Sequence, residues 1–312
     1  MHIAILDDYH GLSRQLVDWS VLGSATSVQV FTEHIDGPGL VAELQPFDVI
    51  VAMRERTRFP RAVIEALPRL RLLVSTGKRN LAIDAQACAD NGVTLKFALG
   101  HAVSAHATAE LAWAHLLALF KNLTLEDASM RRGHWQTGIP VRLAGKRLGV
   151  VGLGPLGKAV GRVGKAFDME VVAWSPNLDV QRAADAGFAW VDKQTLFSTC
   201  DAISIHMVLA ESTRHLVDAT AIGWMKPGAF LVNTSRAGLV DHEALYAALR
   251  ERRIGGAGLD VFPVEPLPRH DRLRSLPNVT LTPHLGYVNM ENLEHYYRNS
   301  LAAIQEWIAA RG

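Results

Sequence analysis

Cysteine is scarce in this chain: two residues in 312, Cys88 and Cys200. Neither stands in a C-x-x-C spacing, so the sequence shows no zinc or dithiol motif. Such low usage fits a reducing cytoplasm. Net charge is scarce too. The 32 Lys and Arg nearly cancel the 31 Asp and Glu, leaving +1, which suggests neither a nucleic-acid footprint nor a polybasic membrane patch. No apolar run approaches the roughly 20 residues of a membrane span; the richest stretch, Leu111 to Phe120, reads as a core or interface helix. The start, Met1-His2-Ile3-Ala4-Ile5-Leu6-Asp7-Asp8, is a strand followed by acids, not a basic start with a long apolar core, so no signal peptide is expected. Repeats, low-complexity tracts and Pro/Ser-rich linkers are missing. What remains is an ordinary globular composition, 49% apolar and 20% charged, with a length that suggests two domains.

Strand-like and helical patterns alternate throughout, as in a parallel α/β sheet. Strands are expected at His2 to Leu6, Val49 to Met53 and Leu70 to Ser75, with a helix at Arg61 to Leu67. A long helical segment is expected from about Val103 to Arg132, with Gly133 as its stop. A second unit begins at Arg147. Its further strands are expected at Glu170 to Trp174, Ala202 to Ile205, Ala229 to Asn233, Gly258 to Val261 and Val279 to Thr282, before a last helix, Met290 to Ala310.

The turn Gly152-Leu153-Gly154-Pro155-Leu156-Gly157 is a G-x-G-x-x-G sequence between a strand and a helix, Lys158 to Phe167. That setting separates a dinucleotide fingerprint from a chance match. Gly152 permits the turn, Gly154 lets a pyrophosphate approach the backbone, and Gly157 lets helix and strand pack. An acid that holds the adenosine ribose is expected at the end of the next strand. Here Ser175 stands in its place, with no basic residue directly following and Asp179 nearby, so the reading leans to NAD over NADP.

Three segments carry the remaining chemistry: Asn233-Thr234-Ser235-Arg236, Asp260-Val261-Phe262-Pro263-Val264-Glu265-Pro266 and Thr282-Pro283-His284-Leu285-Gly286. Each follows a strand-like run and supplies one ionisable group near the sheet edge where ligands of open α/β sheets bind. A cation, a carboxylate and an imidazole suit hydride transfer to a 2-keto acid. Arg236 grips the carboxylate, His284 is the acid/base, and Glu265 orients and charges the imidazole. Among the other histidines, His206 reads as structural, and His101, His106, His115 and His134 as packing groups. Trp113, Trp135, Trp174, Trp190 and Trp224 read as core or hinge packing. No metal site is expected.

With these motifs in order, the chain resembles the D-isomer-specific 2-hydroxyacid dehydrogenase family over nearly its full length. Leu143-Ala144-Gly145-Lys146-Arg147-Leu148-Gly149, Cys200-Asp201-Ala202-Ile203-Ser204-Ile205-His206 and Met225-Lys226-Pro227-Gly228 add to the likeness. The resemblance implies two doubly wound parallel-sheet domains with the active site between them. A flavodoxin-like substrate domain is expected over residues 1–99 and 287–312, and a Rossmann NAD(P) domain over 100–286. It further implies that Pro155, Leu156, Ser175, Met207, Thr234, Ser235 and Asp260 line the cofactor, Asp260 holding the nicotinamide carboxamide, with Thr108 reaching a phosphate. Arg54 and the loop Gly77-Lys78-Arg79-Asn80 then face the substrate, and a homodimer forms through the cofactor domain. Lys78 and Arg79 depart from the family's usual loop; they either favour a second anionic group or face solvent. The expected activity is interconversion of a small 2-keto acid, glyoxylate or hydroxypyruvate, and its D-2-hydroxy acid. The alternatives are phosphoglycerate dehydrogenase activity, set against a chain that ends at Gly312 without room for an appended regulatory domain, and a nucleotide-sensing protein like the corepressor branch. Formate dehydrogenase is disfavoured, since that branch has glutamine where Glu265 stands.

Overall fold

A computed structural model of the protein describes residues 1–101 and 104–311. The chain divides into two compact units, Met1–Ser104 with Val288–Gly312, and Ala105–Tyr287.

The first unit holds β1 (His2–Ile5), β2 (Ser27–Val30), β3 (Val49–Ala52), β4 (Leu72–Thr76) and β5 (Thr94–Ala98) in the all-parallel order β2-β1-β3-β4-β5. That is the flavodoxin-like order. The central strands β3 and β4 are buried along their whole length, which is why they read as continuous apolar runs rather than alternating ones. The edge strand β2 is only partly covered, and Ser27-Val28-Gln29-Val30 carries too little apolar signal to be expected from sequence. β5 was likewise not expected.

The second unit holds β6 (Arg147–Val151), β7 (Glu170–Trp174), β8 (Ala189–Trp190), β9 (Ala202–Ile205), β10 (Phe230–Asn233), β11 (Gly256–Leu259) and β12 (Val279–Leu281). Their order is β12-β11-β10-β9-β6-β7-β8, all parallel. The strand order reverses between β6 and β9, so the glycine-rich turn after β6 lies at the topological switch point, where α/β sheets bind ligands. β8, two residues long, gave no signal in the sequence.

The expected single helix ending at Arg132 is two helices, Ser104–Lys121 and Leu123–Arg131. The break is at Asn122, whose backbone adopts the left-handed conformation at φ 53°; asparagine tolerates that region better than most residues. Val103, the expected start, lies outside the described residues. Trp135 is corrected as well: it is 75% exposed rather than packed in a core or hinge. Both cysteines are buried and free. Among the described residues, no helix is long and apolar enough to cross a membrane.

Candidate active site

Four helices of the second unit begin at an aspartate whose side chain accepts a backbone N–H of the first turn: Asp179, Asp192, Asp218 and Asp241. Helix Pro155–Ala166 does not. Its N-cap is Gly154, with no side-chain cap, so the amide groups of its first turn are left open to an anion. Gly152 takes φ 96°, and a Cβ there would come within 2.5 Å of the His206 carbonyl oxygen and 2.8 Å of Met207 Sδ. A Cβ on Gly157 would run into the Gly152 carbonyl, whereas one on Gly154 would meet nothing within 4 Å. The turn is therefore packed behind and bare in front, as the close approach of a pyrophosphate requires.

Two buried polar atoms at the ends of β9 and β10 have no hydrogen-bond partner, Thr234 Oγ1 and His206 Nδ1. An orphan group of this kind needs a partner, which a bound ligand would supply. Burial pushes the His206 imidazole down to about 4; its Nε2 is 2.8 Å from Ser204 Oγ. The residues present therefore fit a dinucleotide.

Ser175 is half-buried just past β7. Asp179, the nearby acid, is occupied in capping its helix at the Arg182 amide, 2.8 Å away. The Arg182 side chain turns back to the Asn177 carbonyl. A cation thus stands beside the 175–177 loop although none follows Ser175 directly. Its separation in sequence hid it, and the turn into the next helix brings it back. Thr108 also differs from expectation. Its hydroxyl donates to the Gly286 carbonyl at 2.6 Å, so that proton is directed to the backbone and not to a phosphate.

Asn233 explains the spacing N-x-x-R. Fully buried at the end of β10, it accepts the Ser235 N–H at 3.0 Å and donates to the Arg236 carbonyl at 3.0 Å. Ser235 Oγ donates to the Ile205 carbonyl at 2.8 Å. The turn is tied on both sides, and half-buried Arg236 leaves it in a fixed place, its guanidinium donating to the Ser235 carbonyl at 2.7 Å.

Glu265 and His284 meet directly. His284 Nδ1 lies 2.7 Å from Glu265 Oε2, and the other carboxylate oxygen accepts the Phe262 N–H at 2.8 Å. Burial alone pushes the Glu265 carboxyl up. The hydrogen bond and charge of His284, the Phe262 amide and the field of Arg236 outweigh it, so the carboxyl stays below its ordinary range. With Nδ1 bonded to a carboxylate, Nε2 is the ring nitrogen left for other partners.

His284 sits at φ 54°, a conformation that costs a non-glycine residue about 1–2 kcal/mol. Asp260 holds it there. Its Oδ1 accepts the Leu285 N–H at 2.7 Å and the Thr282 hydroxyl at 2.6 Å, and its Oδ2 accepts the Gly286 N–H at 2.9 Å. Burial pushes the Asp260 carboxyl up against these donors.

In the first unit, Arg54 follows β3 at φ 54°. Its amide donates to Thr76 Oγ1 at 2.9 Å, and the buried Asn80 donates to its carbonyl. Gly77 lies directly against the Arg54 guanidinium, where a Cβ would collide. Asn80 is thus turned inward as a brace for Arg54, while Lys78 and Arg79 are exposed. Sequence reasoning missed the other brace. Buried Asp7, itself at φ 56°, accepts the Thr57 hydroxyl at 2.6 Å and offers its carbonyl to Arg56 at 2.6 Å. It also faces His34 Nδ1 at 2.8 Å. These contacts tie the ends of β1 and β2 to the loop after β3 that carries Arg54. The pair Asp7-Asp8 after β1 was the available signal, since acids at a sheet's carboxyl edge need partners when buried.

Residues 113–286 match the family model described as D-isomer specific 2-hydroxyacid dehydrogenase, NAD binding domain. A hydroxypyruvate reductase of Thermotoga maritima is 35% identical over 270 residues, covering 85% of this chain and 86% of the relative. A D-3-phosphoglycerate dehydrogenase of Methanocaldococcus jannaschii is 36% identical over 250 residues, 79% of this chain but only 47% of that longer protein. A crystal structure of a phosphoglycerate oxidoreductase from Vibrio cholerae o395 superposes with a TM-score of 0.92 at 35% identity, covering 99% of each chain. The chain belongs to the D-isomer-specific 2-hydroxyacid dehydrogenase family.

Proposed function

We propose that this NAD(P)-dependent D-2-hydroxyacid dehydrogenase interconverts a small 2-keto acid of the glyoxylate or hydroxypyruvate class and its D-2-hydroxy acid, with His284 as acid/base. The observation that carries this reading is the His284–Glu265 pair, 2.7 Å apart, with Arg236 close enough to act on the carboxylate. When bound, the reduced nicotinamide supplies a hydride to the carbonyl carbon. His284 gives the Nε2 proton to the carbonyl oxygen as charge develops there, and Glu265 holds Nδ1–H and stabilises the ring's charge. Arg236 grips the substrate carboxylate and polarises the carbonyl. In oxidation the neutral ring takes the hydroxyl proton. In the first unit Arg54 is a candidate anion contact, its backbone fixed by Thr76 and Asn80. The exposed cations Lys78 and Arg79 favour, as a second reading, a keto acid with a further anionic group. A panel of 2-keto acids with and without a terminal phosphate, each tested with NADH and NADPH, decides between them. Turnover of none of them rules out the reductase reading.

Cofactor choice rests on the 175–177 loop. Ser175→Asp is expected to raise the specificity-constant ratio of NADH over NADPH, because a carboxylate there bonds ribose hydroxyls and repels a 2′-phosphate. An unchanged ratio places the ribose elsewhere.

The homodimer is proposed to form through the second unit. Leu123, Leu125, Met130, Trp135, Ile139 and Val141 are all exposed within one short stretch, Trp135 at 75% and Ile139 at 91%. We take this run of exposed apolar residues as the candidate interface, since exposed apolar surface is what subunit contacts cover. Ile139→Asp combined with Trp135→Ala is expected to give a monomer by light scattering at concentrations where the parent is a dimer. An unchanged mass puts the interface on another face.

A further inference from the structure

His115 has no part in the chemistry described so far, yet both its ring nitrogens are engaged. It is buried, 3% exposed, on helix Ser104–Lys121. It packs over β11 at Gly258, where a Cβ would come within 2.6 Å of the His115 Cβ. Glycine inside a central strand marks such a close approach, and here it lets the imidazole reach Thr280 of β12 and Thr282 just past it. Nδ1 lies 2.7 Å from Thr280 Oγ1, and Nε2 lies 2.9 Å from Thr282 Oγ1. Thr282 Oγ1 is in turn 2.6 Å from Asp260 Oδ1.

The donors in this chain follow from the carboxylate. Ionised Asp260 can only accept, so the Thr282 hydroxyl donates to it. A lone pair of that hydroxyl then faces Nε2, which must carry the ring proton. Nδ1 is left to accept from Thr280. Burial pushes His115 down to about 4, so the ring is neutral at any ordinary working pH. Filling the same space needs no polar atoms; an aliphatic side chain does so without two buried nitrogens to satisfy.

We propose that His115 is a positioning residue for the reaction: donating from Nε2 to Thr282, it orients the hydroxyl that anchors Asp260 and, through the Leu285 and Gly286 amides, the turn presenting His284. This rests on the cofactor contact that the family resemblance implies for Asp260 and on the role proposed above for His284. The groups facing the Asp260 carboxylate are the Thr282 hydroxyl just past β12, the amides of Leu285 and Gly286, and the titratable side chain of His284. A carboxylate is lost as pH falls through its pKa. Weakening this chain moves that loss to higher pH.

The test compares His115→Leu, His115→Gln and Thr282→Val in the full-length protein. NADH binding is followed by fluorescence from about pH 5 to pH 9, a span that covers a raised carboxyl, together with turnover and amide exchange at Leu285 and Gly286. His115→Leu is expected to lower turnover about tenfold, the size of one buried hydrogen bond. It should also move the acid limb of NADH binding to higher pH and speed exchange at both amides. His115→Gln, whose amide donates toward Thr282, should recover most of each effect. Thr282→Val should reproduce the loss, and the Leu/Val double variant should be no worse than Thr282→Val, because both act through one chain. Equal behaviour of the Leu and Gln variants, or an unmoved acid limb with only a lower melting temperature, reduces His115 to packing. If His115→Leu does not fold, a wild-type limb in Thr282→Val overturns the proposal by itself. If the wild type binds no NADH, the functional reading fails separately, and the amide exchange still decides the role of His115.

Discussion

Replacing His284 with Ala lowers the turnover number by about 100- to 10,000-fold, the usual range for a general acid/base, while dinucleotide binding changes little. The residue projects from a turn fixed by Asp260, which takes the amides on its C-terminal side, so removing the imidazole leaves the backbone anchors in place. Its Nδ1 is committed to Glu265, which leaves Nε2 as the atom to act on substrate in the proposed mechanism. The loss should fall on turnover with little change in KM, since a proton transferred only in the transition state contributes little to ground-state binding. NADH titration of the variant separates this from a folding defect. Near-normal turnover with intact binding removes His284 from the acid/base role.

The candidate site of the second unit was legible in outline because each element of it is short-range in sequence. A strand, a turn and one ionisable residue recur three times, and the glycine turn carries its own strand and helix. The chemistry of G-x-G-x-x-G and of N-x-x-R is local: Asn233 ties its own turn, and Gly152, Gly154 and Gly157 shape theirs. What sequence reasoning missed is long-range. Arg182 comes to the Ser175 loop only because a helix begins at Asp179 and turns it back. Asp7 and His34 follow different strands from Arg54, and only the order β2-β1-β3 brings them alongside its loop. His115 reaches Thr280 and Thr282 across more than 160 residues of chain. The weak strands were missed for a simpler reason. β2 and β8 are edge strands, partly exposed and short, and lack the buried apolar run that marked the central ones.

Asn80 shows how a motif can be read in the right place with the wrong contact. It was expected to face the substrate with its loop neighbours. The side chain instead lies buried beneath the loop, bonded to the Arg54 carbonyl and to Ser75 Oγ at 3.0 Å, and accepting the Ala82 amide at 2.8 Å. A left-handed Arg54 is strained, and such a residue persists when its surroundings over-determine it. Thr76, Gly77 and Asn80 do so from β4 and its loop. The loop therefore fixes the placement of Arg54, while Lys78 and Arg79 are exposed.

Keto-acid reduction and hydroxy-acid oxidation respond to pH in opposite directions, and Glu265→Gln moves both responses toward lower pH. Reduction needs the imidazolium of His284, so its specificity constant falls as pH rises through the histidine transition; oxidation needs the neutral ring and rises over the same interval. The sign of the mutant effect follows from Glu265. Its carboxyl is held below the ordinary range because burial, which raises it, is outweighed by the His284 hydrogen bond and charge. A carboxylate 2.7 Å from Nδ1 stabilises the imidazolium electrostatically. A carboxyl lowered in this way stays ionised from neutral pH down through its ordinary range, and the pair is lost only as pH falls through the depressed value. Glu265 is therefore ionised throughout the range tested. Gln keeps the hydrogen-bonding shape and removes the charge, so both transitions should move by roughly one pH unit or more, as opposite-charge pairs at this distance do. Reduction at neutral pH should then slow in the variant, and oxidation should gain relative to it. The measurement is the specificity constant in both directions from about pH 5 to pH 10, the range a histidine can occupy; the turnover number is a poorer probe, because a slow release or closure step masks the transition. Parallel pH trends in the two directions, or transitions that stay in place in Glu265→Gln, break the assignment of Glu265 as the group that tunes His284.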